Sequence, residues 1–561
     1  MRNRCCIAFA SLFFLCLLPG TMLAAAVAPA TRGMVASGHP LATEAGLNVL
    51  KNGGNAIDAA VAVGLTLGVV DTQNSGIGGG CFMLIRRANG SIVAIDGRET
   101  APWLATRDMF IVNGAADPDL SQTGALASGV PGELAAFDYA VRKFGRKKLA
   151  DLILPASHIA EQGFAIDRIY ATRLRSVADE MNLFEASRRI FWKDGKPLAE
   201  GEWLRQLDLA NTYRQIAHHG IKWFYRGPFA AATEEWMKLN GGILTARDFA
   251  AYRIARRDPV STLYRGRQVV SFPPPSSGGV HLIQMLNMLE RFEVTSMEEG
   301  ERAHLLVEVM KLAFADRAHW LGDPAFAQVP RGLVSKAYAA SLAQKIRLDQ
   351  TTPVASHGSP PGWERDTFPK HTTHFSVADA EGNWVACTAT INTSFGSKVV
   401  IPGTGVVMNN QMDDFSAQPG VPNYFGLVGA EANAVAPGKR PLSSMTPTIV
   451  LEQGKPILAL GAAGGPRIIS CVFAQLVGIL DLGQSPAEAM AAPRIHHQWS
   501  PDEVAVEQSL PDGIQNALRS RGHKLLEQNA LSTAHSVSRS PDRRAFTGAA
   551  DPRSRGTAQG W

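Results

Sequence analysis

The sequence predicts an α+β fold in which sheets are covered by helices. Two observations carry this prediction: β-rich runs precede helical runs in both halves of the chain, and an apolar share of 45% over 561 residues is enough to bury a large core. The 53 glycines and 33 prolines indicate many turns but follow no collagen-like period. The chain is therefore expected to be globular.

The first 26 residues have the composition of an export signal. Arg2 and Arg4 precede an apolar run over residues 5–18, and three alanines follow at 24–26. The apolar run is shorter than the roughly 20 residues that a membrane-spanning helix needs. We therefore expect residues 1–26 to be a removed signal peptide, with cleavage near Ala28 as the alternative.

The next segment predicts two helices and a hairpin. Apolar residues recur at helical spacing over 42–50 and stop at an Asn-Gly-Gly sequence, which is a common helix end. Ala56–Val70 is more uniformly apolar, as expected for a buried helix. Residues 81–86 and 92–96 are β-rich and are joined by a short Gly-containing turn, so we predict a hairpin.

The middle of the chain is predicted to be mostly helical. Residues 140–260 combine mixed charges with helical apolar patterns, and Leu305, Val309 and Leu312 mark an amphipathic helix. Residues 346–368 are polar and rich in proline, without an apolar period. This last stretch is predicted to be an exposed loop or tail.

The character of the chain changes directly after that loop. Residues 373–378 and 384–390 are β-rich, and a second hairpin is predicted from residues 448–451 and 456–460. A helix is predicted over 468–482. The order of strands followed by a helix supports a layered fold.

Several function classes are disfavoured. The 55 basic and 50 acidic residues give a net charge of only +5 without a dense basic run, so nucleic acid is not an expected partner. There is no G-x-S-x-G elbow, Walker A loop or H-E-x-x-H motif. The pairs 218–219 and 496–497 are adjacent histidines without nearby ligands at metal spacing, so surface or hydrogen-bonding roles are favoured. The glycines at 76–80 could cradle a phosphate, but close packing is the preferred interpretation.

The cysteines do not form a disulfide framework. Removal of the signal leaves Cys81, Cys387 and Cys471, which are isolated, odd in number and set in apolar segments. We predict that they are small core residues.

Thr372 is a candidate nucleophile. It follows the loose loop and opens a predicted strand, so a cut before it would place a new α-amino group beside its own hydroxyl. An α-amino group has a pKa of about 8, which allows it to act as a base near neutral pH. On these residues alone, an ordinary strand threonine remains the alternative.

A family resemblance favours the interpretation of Thr372 as a nucleophile over that of an ordinary strand threonine. Residues 372–377 (TTHFSV), 392–396 (NTSFG), 409–415 (NNQMDDF), 440–445 (RPLSSM) and 461–465 (GAAGG) resemble the gamma-glutamyltransferase family. The resemblance extends over nearly the whole chain after the signal, with further matches upstream at 78–80, 96–99, 273–279 and 315–317 and downstream at 551–553. So many motifs in the same order make the resemblance specific.

The resemblance implies an N-terminal-nucleophile hydrolase fold, which is a four-layer αββα sandwich. It also implies a proenzyme that cuts itself between His371 and Thr372. We therefore expect a large fragment, residues 27–371, and a small fragment, residues 372–561, that remain together as a heterodimer.

The resemblance further implies the catalytic residues. Thr372 would attack the γ-carbonyl and carry the γ-glutamyl group as an ester. Thr390 would hydrogen-bond the amino group of the nucleophile. The backbone N–H groups of Gly464 and Gly465 would form the oxyanion hole, where glycine permits close approach to the substrate.

A substrate with a zwitterionic head needs both signs of charge. Arg98 is matched to the group that binds the α-carboxylate, and a guanidinium fits a carboxylate with two hydrogen bonds. The other implied receptor residues are polar or acidic: Ser443 and Ser444 for the carboxylate, and Asp414, Asn392 and Gln411 for the α-ammonium.

Two positions depart from the family pattern. The lid segment, residues 419–435, carries Phe425 where bacterial members often have tyrosine, so a hydroxyl is lost there unless Tyr424 substitutes for it. Pro466 follows the glycine pair and has no N–H, which is expected to stiffen the loop.

The signal sequence predicts export, to the periplasm or the medium, and the resemblance implies an enzyme without metal or organic cofactor. It would cleave the γ-glutamyl amide of glutathione and related compounds and pass the acyl group to water, amino acids or peptides. A cephalosporin (glutaryl) acylase is the nearest alternative, but a glutaryl group has no α-ammonium and does not require Asp414. An inactive, processed binding homologue is the second alternative. No nucleic-acid partner or stable membrane anchor is expected.

Overall fold

Two antiparallel sheets lie at the centre of the computed structural model, which describes residues 28–361 and 373–561. The predicted signal peptide and the predicted cut, including Thr372, lie outside the described residues. The strands of the first sheet are, in spatial order, Ala255–Arg257, Ile92–Gly97, Gly80–Arg86, Trp384–Thr390, His374–Asp379, Gly33–Ser37 and Thr557–Gly560.

The second sheet faces the first. Its strands are, in spatial order, Val260–Tyr264, Arg267–Ser271, Thr448–Glu452, Lys455–Ala463, Thr533–Arg539 and Phe546–Ala550. Short ribbons elsewhere pair Ile111–Val112 with Ala115–Ala116, Phe164–Ala165 with Trp203–Leu204, and Trp192–Lys193 with Lys196–Pro197. A small third sheet contains Ile495–His496, Val504–Glu507 and Leu525–Gln528.

Side-chain alternation along one central strand shows how the layers meet. In Trp384–Thr390, Trp384 and Ala386 belong to the apolar cluster between the two sheets. Val385 and Cys387 belong instead to the cluster under the helices. Since successive side chains of a strand point to opposite faces, this strand is buried on both sides and reads as a continuous apolar run.

One helical layer covers the outer face of the first sheet. Its longest apolar member, Ala56–Val70, is buried along its whole length and starts with a capping box between Asn55 and Asp58. The helices that contribute to this core are Pro40–Lys51, Ala56–Val70, Glu133–Phe144, Leu149–Gln162, Arg168–Arg175, Ala178–Asn182, Glu185–Phe191, Leu207–His219, Lys222–Tyr225, Pro228–Leu239 and Ala246–Ala251.

A second helical layer covers the other sheet. Its members are Ser277–Leu289, Glu299–Trp320, Lys336–Ala343, Arg467–Leu480, Pro486–Ala491 and Asp512–Ser520. Three apolar clusters therefore separate four layers, and the predicted αββα sandwich is confirmed.

Strands from both sides of residue 371 alternate within the first sheet. His374–Asp379 pairs with Gly33–Ser37 on one side. Trp384–Thr390 pairs with Gly80–Arg86. The two predicted fragments therefore build one sheet system, although the boundary between them lies outside the described residues.

Most predicted elements agree with the structure to within a few residues. The helix predicted over 42–50 spans Pro40–Lys51, and Ala56–Val70 has the predicted bounds. The helix predicted over 468–482 spans Arg467–Leu480. Residues 346–361 contain neither helix nor strand, as predicted for the described part of the loop.

The three cysteines outside the signal are buried and free, which confirms the prediction of core residues. No helix within residues 28–361 and 373–561 combines the length and apolarity needed to cross a membrane.

Candidate active site

The described chain resumes at Thr373, directly after the predicted nucleophile. The carbonyl of Thr373 accepts a hydrogen bond from the Ala389 amide, which starts the pairing of the two central strands. His374 then lies opposite Thr388 in the ladder. The segment that follows Thr372 is thus fixed in the middle of the first sheet, beside the end of the strand that carries Thr390.

Thr390 orders the turn that follows its strand. Its Oγ1 accepts a hydrogen bond of 2.7 Å from the Asn392 amide. Asn392 has a φ of 78°, and its Nδ2 donates to the Asn410 carbonyl at 3.0 Å. Its Oδ1 is buried and accepts no hydrogen bond from a residue that the structure describes. The turn therefore holds the side-chain amide oxygen of Asn392 in a buried position, without a hydrogen-bond donor among the described residues.

The glycine cluster is a packing feature. A Cβ on Gly78 or Gly79 would overlap the carbonyl oxygen of Val407 or Thr390, respectively, and one on Gly80 would lie 2.6 Å from the Glu99 carboxylate. The prediction of close packing is therefore confirmed. Its consequence is that the strand end at Thr390 sits directly against the backbone of the cluster.

Arg98 and Asp414 form the charged centre of the site. Arg98 Nη2 donates to Asp414 Oδ2 at 2.7 Å, and both side chains are fully buried. Gln411 Nε2 donates to the same carboxylate oxygen at 2.8 Å. The Oε1 of Gln411 has no donor among the described residues. The resemblance assigns Arg98 and Asp414 to opposite charges of a substrate, whereas here they contact each other.

The two serines lie beside a second buried arginine. Arg317 Nη2 donates to Ser444 Oγ at 3.4 Å, and Arg317 Nε donates to Ser277 Oγ at 3.0 Å. Ser443 Oγ accepts from the Met445 amide at 3.1 Å, so the hydroxyl proton of Ser443 remains available for a further acceptor. Burial lowers the pKa of Arg317 to about 10, and the Asp414 charge opposes this shift.

Two other carboxyl groups adjoin the centre. Burial raises the pKa of Glu99 to about 7, although Arg98 at 3.3 Å opposes the shift. Burial also raises the pKa of Asp413 to about 6, opposed by a hydrogen bond of 2.7 Å from Ser121. Both carboxyl groups are buried, and burial disfavours their charged forms.

Gly464 and Gly465 occupy the end of a strand of the second sheet and the turn into the helix Arg467–Leu480. Their φ angles are 141° and 60°, which favour glycine. Within the described ranges neither amide N–H donates a hydrogen bond, while the Gly464 and Gly465 carbonyls accept from Arg467 and Ile468. Two backbone donors are thus available at the predicted oxyanion hole. Pro466 has a φ of −60° and caps the helix, as expected for a stiff loop.

The lid segment closes over these glycines. A Cβ on Gly465 would lie 2.7 Å from the Phe425 ring, so the ring packs directly on the glycine backbone. Tyr424 lies edge-on to Phe425 with 5.1 Å between ring centroids, and its own ring is 55% exposed.

A cavity of about 350 Å³ lies between the lid and the charged centre. Asp414 and Arg317 contribute to its wall from the charged side. The rest of its lining comes from residues 116–118, 121–122, 413, 415–418, 421–424, 427–429, 433 and 442.

The structure brings together most of the predicted receptor residues. Arg98, Gln411 and Asp414 contact one another directly. Arg317, which lines the same cavity as Asp414, contacts Ser444, and Ser277 joins Arg317 to the Ser443 carbonyl. The sequence analysis assigns no role to Arg317, although the motif at 315–317 is part of the family resemblance. It also missed Glu99 and Asp413, because neighbours in sequence usually point apart and composition does not reveal burial.

One cluster has metal-like spacing among the described residues. Ligand atoms of His304, Glu308 and His523 lie within 4.8 Å of one another. The Lys311 ammonium lies 3.1 Å from Glu308 and is itself buried, so a cation already neutralises this carboxylate. His218 and His219 are exposed, whereas 496 and 497 are hydrogen-bonded histidines, in agreement with the predicted roles.

Comparisons with known proteins agree with this geometry. The family model described as gamma-glutamyltranspeptidase matches residues 42–561. A glutathione hydrolase proenzyme of Escherichia coli (strain K12) is 46% identical over 530 residues, covering 94% of this chain and 91% of that protein. An acylase ACY 1 proenzyme of Pseudomonas sp. (strain SE83) is 38% identical over 542 residues, covering 94% of each.

A solved structure extends the likeness to the fold. The cephalosporin acylase from Bacillus halodurans superposes with a TM-score of 0.86 at 30% identity, and the alignment covers 99% of each chain. The sandwich described above is thus the N-terminal-nucleophile hydrolase fold that the resemblance implied. With its family model matched over nearly the whole described chain, this protein belongs to the gamma-glutamyltranspeptidase family.

Proposed function

We propose that this chain is an exported gamma-glutamyltransferase that hydrolyses glutathione and related γ-glutamyl amides and also transfers the γ-glutamyl group to amino acids or peptides. The observation that carries the proposal is the buried receptor in which Arg98, Asp414 and Gln411 meet. The 46% identity to a glutathione hydrolase proenzyme supports the same activity.

The receptor suits an amino-acid head. On binding, the substrate α-carboxylate replaces Asp414 as the partner of Arg98. The substrate α-ammonium then forms an ion pair with Asp414. The Oδ1 of Asn392 and the Oε1 of Gln411 accept no hydrogen bond from described residues, and an ammonium supplies three donors. Both substrate charges are then paired in a buried site, where an unpaired charge would be costly.

Before any turnover, the peptide bond between His371 and Thr372 is hydrolysed once, which consumes a water and leaves a carboxylate on His371 and an α-amino group on Thr372. The freed α-amino group takes the proton of the Thr372 hydroxyl while the oxygen attacks the γ-carbonyl. The amides of Gly464 and Gly465 stabilise the oxyanion, and Thr390 orients the amino group. Collapse of the intermediate breaks the C–N bond, and the amino group returns its proton to the leaving amine. The result is a γ-glutamyl ester on Thr372.

The ester is released by a second attack. Water or the neutral amine of an acceptor gives up a proton to the α-amino group and adds to the ester carbonyl. The Thr372 oxygen leaves and recovers that proton. Hydrolysis yields glutamate, whereas aminolysis yields a new γ-glutamyl amide. No metal or organic cofactor takes part in this sequence.

A glutaryl acylase is the second candidate, because acylases are among the relatives. A glutaryl group would satisfy Arg98 but leave Asp414 without an ammonium partner. The buried carboxylate at that position therefore favours a γ-glutamyl substrate.

Intact mass and N-terminal sequencing of the purified protein test the proposal first. We expect two chains, the smaller beginning at Thr372, and turnover of a γ-glutamyl anilide. Thr372→Ala should abolish both, while Thr372→Ser keeps a hydroxyl and should still be cut. Normal processing in Thr372→Ala would refute the assignment, and preference for a glutaryl anilide would favour the acylase.

Export is proposed from the first 26 residues. Expression of the full chain in a Gram-negative host should place the protein in the periplasmic fraction with its N-terminus near residue 27. Retention in the cytoplasm, or release into the medium, would change the proposed compartment.

A further inference from the structure

A buried hydrogen-bond chain connects the oxyanion helix to the lid. Ser470 Oγ lies 2.9 Å from His496 Nδ1, and His496 Nε2 lies 3.1 Å from Gln498 Oε1. Gln498 Nε2 then donates to two lid carbonyls, those of Phe425 at 3.2 Å and Gly426 at 3.0 Å. None of these residues belongs to the receptor or to the oxyanion hole.

The direction of each bond follows from the chemistry of the groups. Because Gln498 uses its N–H₂ group on the lid carbonyls, its Oε1 must accept from His496 Nε2–H. His496 Nδ1 is then the acceptor atom of the ring, and it shares the Ser470 hydroxyl with the Arg467 carbonyl, which lies 3.0 Å from Ser470 Oγ. Burial lowers the pKa of His496 to about 3, so the ring is neutral and has this single proton arrangement at working pH.

Gln498 is held in place by its own neighbours. His497 Nε2 lies 3.0 Å from Asp502, and the Trp499 amide donates to His497 Nδ1 at 2.9 Å. Trp499 Nε1 also donates to the Val354 carbonyl at 2.8 Å. The contacts of His497 and Trp499 thus fix the backbone of the turn that carries Gln498. The Gln498 side-chain amide is therefore positioned independently of the lid.

The lid end of the chain lies at the reaction centre. Phe425, whose carbonyl is held by Gln498, packs its ring on Gly465. A Cβ on Gly426 would lie 3.2 Å from Gln498 Nε2, so the lid backbone passes close to this side chain. Residue 425 carries no hydroxyl, so the Phe425 and Gly426 backbone carbonyls are two of the points at which the lid is fastened, besides the Arg107–Glu431 ion pair.

We propose that Gln498 is a positioning residue that latches the lid segment over Gly465 and thereby sets how the acyl ester is divided between water and amine acceptors. The inference rests on the proposed function. Gln498 touches no reacting atom; it holds the lid whose opening admits an acceptor larger than water. A weaker latch opens the lid more often, which loosens the donor complex and changes the partition.

Gln498→Glu is the sharpest variant, because it keeps the shape but replaces the N–H₂ donors by a carboxylate oxygen that repels the two carbonyls. Loss of two hydrogen bonds predicts a rise of about three- to thirtyfold in KM for a γ-glutamyl anilide, with kcat for hydrolysis within about twofold. The share of acyl groups captured by glycylglycine should shift as well. The exposed Gln508→Glu carries the same charge change in the same fragment and should match the wild type.

Hydrogen exchange of the lid tests the latch independently of turnover. Lid amides should exchange at least about threefold faster in Gln498→Glu than in the wild type, and Gln498→Met, which cannot donate, should behave likewise if the acidic variant does not fold. Unchanged lid exchange and an unchanged partition in both variants would overturn the latch. If the wild type itself fails to turn over γ-glutamyl anilide, the proposed function falls while the exchange comparison still decides the latch.

Discussion

Under the proposed function, the two ends of the site bind their part of the substrate by different means. The receptor end uses charged side chains, and Arg98 and Asp414 are completely buried. The oxyanion end uses backbone amides at Gly464 and Gly465, covered by the ring of Phe425. Recognition thus depends on charge in a place that water hardly reaches, whereas catalysis depends on backbone geometry that a lid must protect.

The receptor end should show the largest effect. Asp414→Asn removes the negative partner of Arg98 and of the substrate ammonium, so kcat/KM for a γ-glutamyl anilide should fall about 100-fold or more. A glutaryl anilide, which has no ammonium, should lose far less. The ratio of the two kcat/KM values is the measurement, and equal losses would remove the ammonium pocket from the site.

The oxyanion end should respond through kcat. In Gly465→Ala the added methyl meets the Phe425 ring and strains a φ of 60°, so kcat should fall about ten- to hundredfold, and donor KM should rise as well because the displaced ring loosens the lid. Gly454→Ala is the matched control, because Gly454 has a φ of 75° but no atom within 4 Å of its Cβ position. Equal losses in both variants would attribute the effect to backbone strain rather than to the oxyanion loop.

The smallest expected effect is on the free energy of unfolding, and it concerns Asp413, which lies between the receptor and the cavity under the lid. Burial raises the pKa of Asp413 to about 6 from 3.8, so the folded state binds this proton more tightly and loses stability as pH rises between those values. Asp413→Asn should therefore gain about 1–3 kcal/mol over the wild type at pH 8 and little at pH 3.5. Denaturant titrations of the uncut Thr372→Ala chain, with and without Asp413→Asn, measure this difference at both pH values, with the exposed Asp258→Asn as control. A pH-independent difference would contradict it.

Local patterns were sufficient for much of the fold. Ala56–Val70 is recognisable because an apolar run directly follows an Asn that caps it, and Trp384–Thr390 because β-branched and apolar residues fill a strand buried on both faces. Local patterns do not predict the order in which the strands pair within a sheet. Gly33–Ser37 lies next to His374–Asp379, more than 300 residues away, and only the completed sheet defines that neighbour.

The residues of the candidate site also fall into those that sequence motifs identify and those that only the structure reveals. Arg98 and Asp414 were named through the family motifs, since nothing in their local sequence distinguishes them from surface charges. Arg317 and Gln498 were assigned no role, because their importance arises from contacts across the fold: one reaches Ser444, and the other reaches the lid. A long-range hydrogen bond leaves no periodic signal in a sequence.

The sheet shared by the two predicted fragments has a consequence for folding and refolding. His374–Asp379 is an interior strand, flanked by Gly33–Ser37 and Trp384–Thr390. The proposed cut just before this strand would convert a continuous chain into two pieces, and refolding would then lack the effective concentration that the peptide link supplies. Under this proposal the uncut chain assembles the fold, and the processed enzyme would not readily refold once it has been unfolded.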